Sequence, residues 1–352
     1  MNSSAVARRG PGRAAVLHLL GLLVLVAVIL AALSVGPVRI DPLAAWRAPA
    51  DDPAHVILVG ARAPRILLAA LVGGALGLAG AGLQALLRNP LACPHVLGIS
   101  GGAALAGIAA TLLVPIGAAG AAFGGRGALM VVPAAAFAGA LATAALVQRV
   151  AGAAGAVNPT SLLLTGVVFN SFAAALITFV HALSDVDRGS GILSWVIGAI
   201  SVRGAAWSAL AAITLAAGLL LLSSSARDLN VLSLGDEGAA SLGVDVASAR
   251  RRVYLAVALL VAGAVPSSGM IGFVGLIVPH LVRLAVGGDQ RLLLPGSMWA
   301  GAAFLVLADT LARTLLAPAE LPVGVVTALC GGPFFLVMLR RQALRSTGWA
   351  DS

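Results

Sequence analysis

Residues 226–252 read Ala226-Arg-Asp-Leu-Asn-Val-Leu-Ser-Leu-Gly-Asp-Glu-Gly-Ala-Ala-Ser-Leu-Gly-Val-Asp-Val-Ala-Ser-Ala-Arg-Arg-Arg252, a polar island in an otherwise apolar chain. The island is too long and too charged to cross a bilayer, and its punctuation is that of two short helices. Asp236 and Glu237 fall in the first turn of one helix, where exposed N–H groups favour negative charge, and Gly243 follows its last apolar residue as a C-terminal stop. Asp245 then stands where it caps a second helix, which carries Arg250, Arg251 and Arg252 into the next apolar run. A folded, partly apolar element on a membrane surface is a docking surface for another protein. A surface-lying amphipathic loop with no partner fits the same spacing.

Composition around the island leaves one class of protein. Of 352 residues 60% are hydrophobic and 10% charged, with a mean hydropathy of +1.04, whereas a soluble domain carries roughly 25% charge. The chain reads as an all-α, polytopic membrane protein. A net charge of +9 invites a nucleic-acid reading, but the arginines are scattered between apolar runs and aromatic residues make up only 4%. Nucleic acid is therefore set aside. All 22 basic side chains are arginine, so the chain cannot form its own phosphate-binding P-loop or a lysine Schiff base. Cys93 and Cys330 lie far apart without metal-ligand spacing and read as packing residues.

A polar arm, residues 1–13, carries Arg8, Arg9 and Arg13. The apolar run after it, Ala14 to about Gly36, exceeds the core of a signal peptide and reads as a retained first helix. Further runs of spanning length cover roughly 62–86, 96–115, 128–148, 161–183, 204–224, 253–268, 270–287, 297–316 and 322–340. Ten transmembrane helices are expected within a body of residues 14–345, followed by a tail, 346–352. An even count puts both termini on one face. The arm, Arg88, Arg149, the island, Arg283, Arg291 and Arg340, Arg341 and Arg345 all fall on that face, which the positive-inside rule makes cytoplasmic. Residues 39–52, with Trp46, and 184–203, with Asp185, Asp187 and Trp195, then lie outside, the two tryptophans at belt positions.

The span from Val253 runs into Pro266-Ser267-Ser268-Gly269, after which the next helix is expected to start at once. Such breaks lie near the path in transporters, and a tight hairpin reads equally well. Gly98-Ile99-Ser100-Gly101-Gly102 matches G-x-S-x-G and, with His280, tempts toward a serine hydrolase. A nucleophile elbow needs a strand before it, and this stretch follows a loop, so small residues opening a packed helix are the better reading. Arg62, Arg65 and Arg313 stand at the outer ends of spans, the side arginine disfavours. They read as receivers of carboxylates from an external partner. Snorkelling to headgroups, or for Arg313 a pair with Asp309 one turn away, is the other reading.

Taken together, Arg62-Ala63-Pro64-Arg65, Gly80 to Gln84, Arg88-Asn89-Pro90-Leu91-Ala92-Cys93-Pro94, Leu97 to Ala103, Leu229-Asn230, Leu234-Gly235-Asp236-Glu237, Gly272 to Arg283, Asp309, Arg313 and Glu320 to Gly324 resemble the FecCD family of ABC-importer membrane subunits, in that family's order. Cys93 replaces the acidic residue common at its position. The family serves iron-siderophore, haem and cobalamin uptake. The resemblance implies the type II ABC-importer permease architecture: a homodimer of ten-helix subunits with the substrate path between them. It also implies two cytoplasmic ATPase subunits that hold ATP and magnesium, an external substrate-binding protein, and a place in the inner (plasma) membrane. No catalytic residue, metal or cofactor is expected in this chain. The resemblance makes Leu234, Gly235, Asp236, Glu237, Ala239, Ala240, Leu242 and Gly243 the ATPase-coupling residues, and Arg62, Arg65 and Arg313 the docking arginines that meet glutamates. Asn89 and Leu91 match a cytoplasmic constriction of the path, to which Thr160 and Ser161 add a second. Iron-siderophore is the first expected cargo, ahead of cobalamin and haem. A gradient-driven secondary transporter is the rival from another class, but it wants ionisable residues at mid-membrane, and only Asp309 lies clearly inside a span.

Overall fold

A computed structural model describes residues 11–113, 116–152, 159–183, 195–200, 202 and 204–347. Among them every long element is a helix: α1 (Pro11–Ser34), α2 (Pro42–Arg47), α3 (Pro53–Leu87), α4 (Ile99–Leu113), α5 (Ile116–Ala151), α6 (Pro159–Ala182) and α7 (Ala205–Ser224), then the short α8 (Ala226–Leu232) and α9 (Asp236–Ser241), and α10 (Val246–Ser268), α11 (Val274–Val286), α12 (Gln290–Thr314) and α13 (Val323–Thr347). Each of the ten predicted apolar runs coincides with one of these helices. Seven stretches, in α1, α3, α5, α6, α7, α12 and α13, are long and apolar enough to cross a membrane, while α4 and α11 are shorter apolar helices. Asp185 and Asp187 lie outside the described residues, as do residues 1–10 and 348–352.

α3 is the central helix, nearly all of it buried from Ile66 to Leu87. It starts about nine residues earlier than expected, because Asp52 caps it by accepting from the Ala54 amide at 2.7 Å and Pro53 sits at the first helical position. Pro64 is carried inside this longer helix. It has no N–H to give, and the π-helical stretch Val56–Arg62, closed by Ala63 N–H to Leu58 C=O, takes up the mismatch.

Small residues bring the neighbours of α3 into backbone contact. A Cβ on Gly73 or Gly77 would overlap the carbonyls of Gly301 and Ser297 in α12, and one on Gly80 would overlap Gly275 in α11. In a bilayer such close approach, not apolar burial, is what holds helices together. Where α11 contains Pro279, the carbonyl of Gly275 loses its usual helical donor. The Gln84 amide of α3 donates to it and to the Leu276 carbonyl, both at 3.3 Å. The single tyrosine, Tyr254 in α10, is buried and donates to the Ala144 carbonyl of α5 at 2.9 Å.

Two local expectations change. α10 continues through Pro266 to Ser268, and α11 starts only at Val274, so five residues separate them where an immediate restart is expected. The connection turns on Gly269 and on Phe273, which is left-handed at φ 66°, and Met270 N–H meets the Trp195 carbonyl at 3.4 Å. Trp195 itself is buried with its indole nitrogen unpartnered, whereas Trp46 is exposed.

Candidate functional site

The second half of the island folds as its punctuation predicts, and a short helix the sequence reading did not include, α8, precedes it. α9 opens on Asp236 and Glu237. It ends with Gly243 at φ +83°, where Gly243 N–H bonds the Ala240 carbonyl and Val244 N–H the Ala239 carbonyl, each at 3.0 Å. Two such bonds with a left-handed residue form the Schellman closure that glycine favours. Asp245 caps α10 by accepting from Ser248 N–H at 3.0 Å.

What the sequence does not announce is how firmly the island is tied down. The Asp236 carboxylate accepts from Arg88 at 2.6 Å and from Arg250 at 2.8 Å, joining α9 to the end of α3 and to α10. Asn230 in α8 donates to Asp289 at 2.8 Å and accepts from Gln290 N–H at 2.9 Å, fastening the island to the first turn of α12. Arg252 adds a pair with Asp228 at 2.8 Å. Asp236, expected to answer the helix dipole and to face the ATPase, is therefore also a clamp. Its partners Arg88 and Arg250 come from distant positions in the chain, which no local pattern reports.

With the island braced, its outward face is defined. Leu234 and Leu242 are 68% and 64% exposed, and Glu237, Ala240 and Gly243 are exposed with them; Gly235 and Asp236 are half-buried. Ala239, placed with the coupling residues by the resemblance, is fully buried in the body of the subunit. Its small side chain packs the island onto the bundle and does not face out.

At the other ends of α3 and α12 the three arginines occupy three different settings. Arg62 is buried and spends both terminal nitrogens on carbonyls, those of Leu33 and Val38, each at 2.7 Å, so it closes the end of α1. Arg313 is also buried. Its Nε donates to Asp309 at 3.0 Å, the one-turn pair anticipated as the alternative, and Nη2 lies 3.4 Å from the Thr310 hydroxyl. Arg65 bridges two acids, donating to Asp309 at 3.1 Å and to Glu320 at 2.7 Å. Asp309 thus meets one guanidinium on each carboxylate oxygen with its side chain only 1% exposed. Glu320 joins the cluster from the connection after α12, a role the sequence does not signal.

The remaining candidates lie at the island end. Asn89 accepts from Leu91 N–H at 2.9 Å, and its own N–H bonds the Gln84 carbonyl at 3.1 Å, so it shapes the turn that leaves α3 beyond the left-handed Arg88. Thr160 and Ser161 fall in the first turn of α6, and Asn170 of that helix donates to the His95 carbonyl at 2.6 Å. Burial pushes the Cys93 thiol up, which keeps it protonated. Ser100 is buried in the first turn of α4, after a 3-10 turn over Pro94–Leu97 and not after a strand, and His280 packs edge-on against Phe334 at 5.7 Å. No nucleophile elbow exists there. Among the described residues no group of three or more His, Cys, Asp or Glu side chains forms a metal site.

A braced surface island stands at one end of the bundle and an arginine–acid cluster at the other. The family description "FecCD transport family" matches residues 23–341. The chain belongs to the FecCD transport family. Among FecCD relatives, the hemin transport system permease protein HmuU of Yersinia pestis is 39% identical over 94% of this chain and 97% of its own length. The vitamin B12 import system permease protein BtuC of Vibrio vulnificus is 39% identical over 91% and 94%. An ABC transporter permease protein of Bacillus subtilis, YvrB, is 42% identical over 83% and 81%. A solved ABC transporter assigned to the metal-chelate type, in an inward-facing conformation, superposes with a TM-score of 0.79 at 30% identity, covering 93% of this chain and 99% of that one. The chain is a multi-pass membrane permease subunit of an ABC importer.

Proposed function

We propose that this FecCD permease acts as a homodimer in the inner (plasma) membrane, each subunit crossing ten times with both termini cytoplasmic, and translocates a metal chelate between the two subunits. Iron-siderophore is the leading cargo; relatives named for hemin and vitamin B12 make haem and cobalamin the alternatives. Two separate ATPase chains bind ATP and magnesium and dock on the island, so this chain performs no covalent chemistry. An external binding protein delivers the chelate to the end that carries Arg62, Arg65 and Arg313. Asn89 and Leu91, with Thr160 and Ser161, narrow the path at the cytoplasmic end.

The observation that carries this reading is the island itself. Leu234 and Leu242 are exposed on an element that Asp236 and Asn230 lock to α3, α10 and α12. A surface meant to pass on the closure of an ATPase has to be apolar enough to bind and rigid enough to move the helices behind it. Asp309, the one carboxylate inside a span that a gradient-driven carrier could use, has both oxygens committed to arginines.

The test is reconstitution in proteoliposomes with the ATPase and binding protein of the same transporter. ATP hydrolysis should rise when the loaded binding protein is added, and the chelate giving the largest rise is the cargo. Uptake that proceeds without ATP and collapses with the ion gradient would refute the assignment.

A further inference from the structure

The three outer arginines are not equivalent. Arg62 and Arg313 are buried and satisfied within the subunit, by the carbonyls of Leu33 and Val38 and by Asp309. Arg65 alone reaches the surface, with 20% of its side chain exposed, and its outward nitrogen Nη1 is held at 2.7 Å by Glu320, whose side chain is 48% exposed. Glu320 does not arrive there by chance of a loose loop. The next residue, Leu321, donates its N–H to the Ala312 carbonyl at 3.0 Å, which fixes the connection beside the last turn of α12.

Resting on the docking reading given above, we propose that Glu320 is a built-in stand-in for the partner's carboxylate. It occupies Arg65 while the subunit is undocked and is displaced when the binding protein arrives. The chemistry of the exchange is one charge-assisted pair for another of the same kind, which makes docking reversible instead of adding a full new ion pair. The buried Asp309 stays on Arg65 throughout and keeps the guanidinium aimed outward as Glu320 leaves. Arg62 and Arg313 are then positioning residues, one anchoring α1 against α3 and the other holding Asp309 in place.

Binding of the transporter's own external binding protein to the reconstituted permease, measured at two salt concentrations, tests this with three variants. Glu320→Gln removes the competitor and keeps the shape, so affinity should rise about two- to fivefold, the span of a partly exposed ion pair. Glu320→Asp, too short to span the same gap, should shift affinity in the same direction by less. An unchanged or weakened affinity in Glu320→Gln, with thermal stability intact, overturns the proposal, because Glu320 then only supports Arg65. Arg65→Glu separates the two levels: if it leaves docking unaltered, the docking reading itself fails; if it abolishes docking while Glu320→Gln does not strengthen it, only the stand-in fails.

Discussion

Replacing Asp309 by asparagine tests whether the arginine–acid cluster holds the bundle together. The Asp309 carboxylate is 1% exposed, and its two oxygens accept from Arg65 at 3.1 Å and Arg313 at 3.0 Å. Asparagine keeps the volume and removes the charge, leaving two guanidiniums beside a neutral amide. Arg65 retains Glu320, but Arg313 keeps only the Thr310 hydroxyl at 3.4 Å. Removing one partner of a buried pair costs about 3–5 kcal/mol, most of it the penalty of the charge left behind. At about 2 °C per kcal/mol for a chain of this size, the unfolding midpoint of the purified subunit in lipid nanodiscs should fall by about 6 °C or more. Because the penalty sits on Arg313, adding Arg313→Gln to Asp309→Asn should recover part of the loss. A midpoint for Asp309→Asn within about 1 °C of the parent, or strictly additive losses in the double variant, would refute the argument that this carboxylate neutralises buried arginines.

Three other outcomes follow from the same geometry. In a chain with Cys93 and Cys330 replaced by alanine, Trp46→Cys should react with an impermeant thiol reagent from outside and Leu242→Cys only after the membrane is opened, while Ala239→Cys stays slow under both conditions because it is fully buried; the reverse pattern for the first two would overturn the orientation. Leu234→Ser with Leu242→Ser should weaken association with the ATPase chain by tenfold or more, since a leucine buried at an interface is worth about 1.5–3 kcal/mol; unchanged association would mean that the exposed face of the island is not the contact. Gln84→Leu should lower stability by about 1–3 kcal/mol, read as a lower midpoint, because the Gly275 and Leu276 carbonyls lose the donor that answers Pro279; a variant as stable as the parent would show that those carbonyls find another partner.

The helices were legible in the sequence because apolar length is a one-dimensional signal, and so were the island's Gly243 stop and Asp245 cap, since these act on residues a few positions away. The start of α3 was placed at residue 62 from the apolar run, whereas the helix begins at Pro53, and the π turn over Val56–Arg62 that joins the two leaves no compositional trace. The burial of Trp195 was not legible for a related reason: belt statistics describe where a tryptophan sits along the membrane normal, not whether a backbone break such as Gly269–Phe273 will fold over it. Among the site residues, Arg62, Arg65 and Arg313 stood out by being on the disfavoured side, yet the sequence could not rank them. Arg313 pairs with Asp309 one turn away, but the settings of Arg62 and Arg65 rest on partners 24 to 255 residues away, namely Val38, Leu33, Asp309 and Glu320. Glu320 and Asn230 were visible only as parts of quoted stretches, because an ion pair or an amide bridge across the bundle has no spacing of its own.

On the proposed function, the two ends have to communicate, and the helices that could carry the displacement are already identified by their end contacts. α3 bears Arg65 in its first half and, 23 residues on, is followed by Arg88, which grips Asp236 of the island; at 1.5 Å per residue that is roughly 35 Å. α12 runs antiparallel beside it, with Asp309 and Arg313 at the arginine end and Asp289, held by Asn230, at the island end. Between these tie points the two helices touch through Gly73, Gly77, Ser297 and Gly301, where backbones meet without intervening side chains. A contact of that kind has little room to shear, because any sliding drives a carbonyl into a neighbouring backbone. On that function, a push on the island moves α3 and α12 as a pair, and the bonds among Arg65, Asp309, Arg313 and Glu320, which lie on or between those two helices and the connection after α12, shift with them intact.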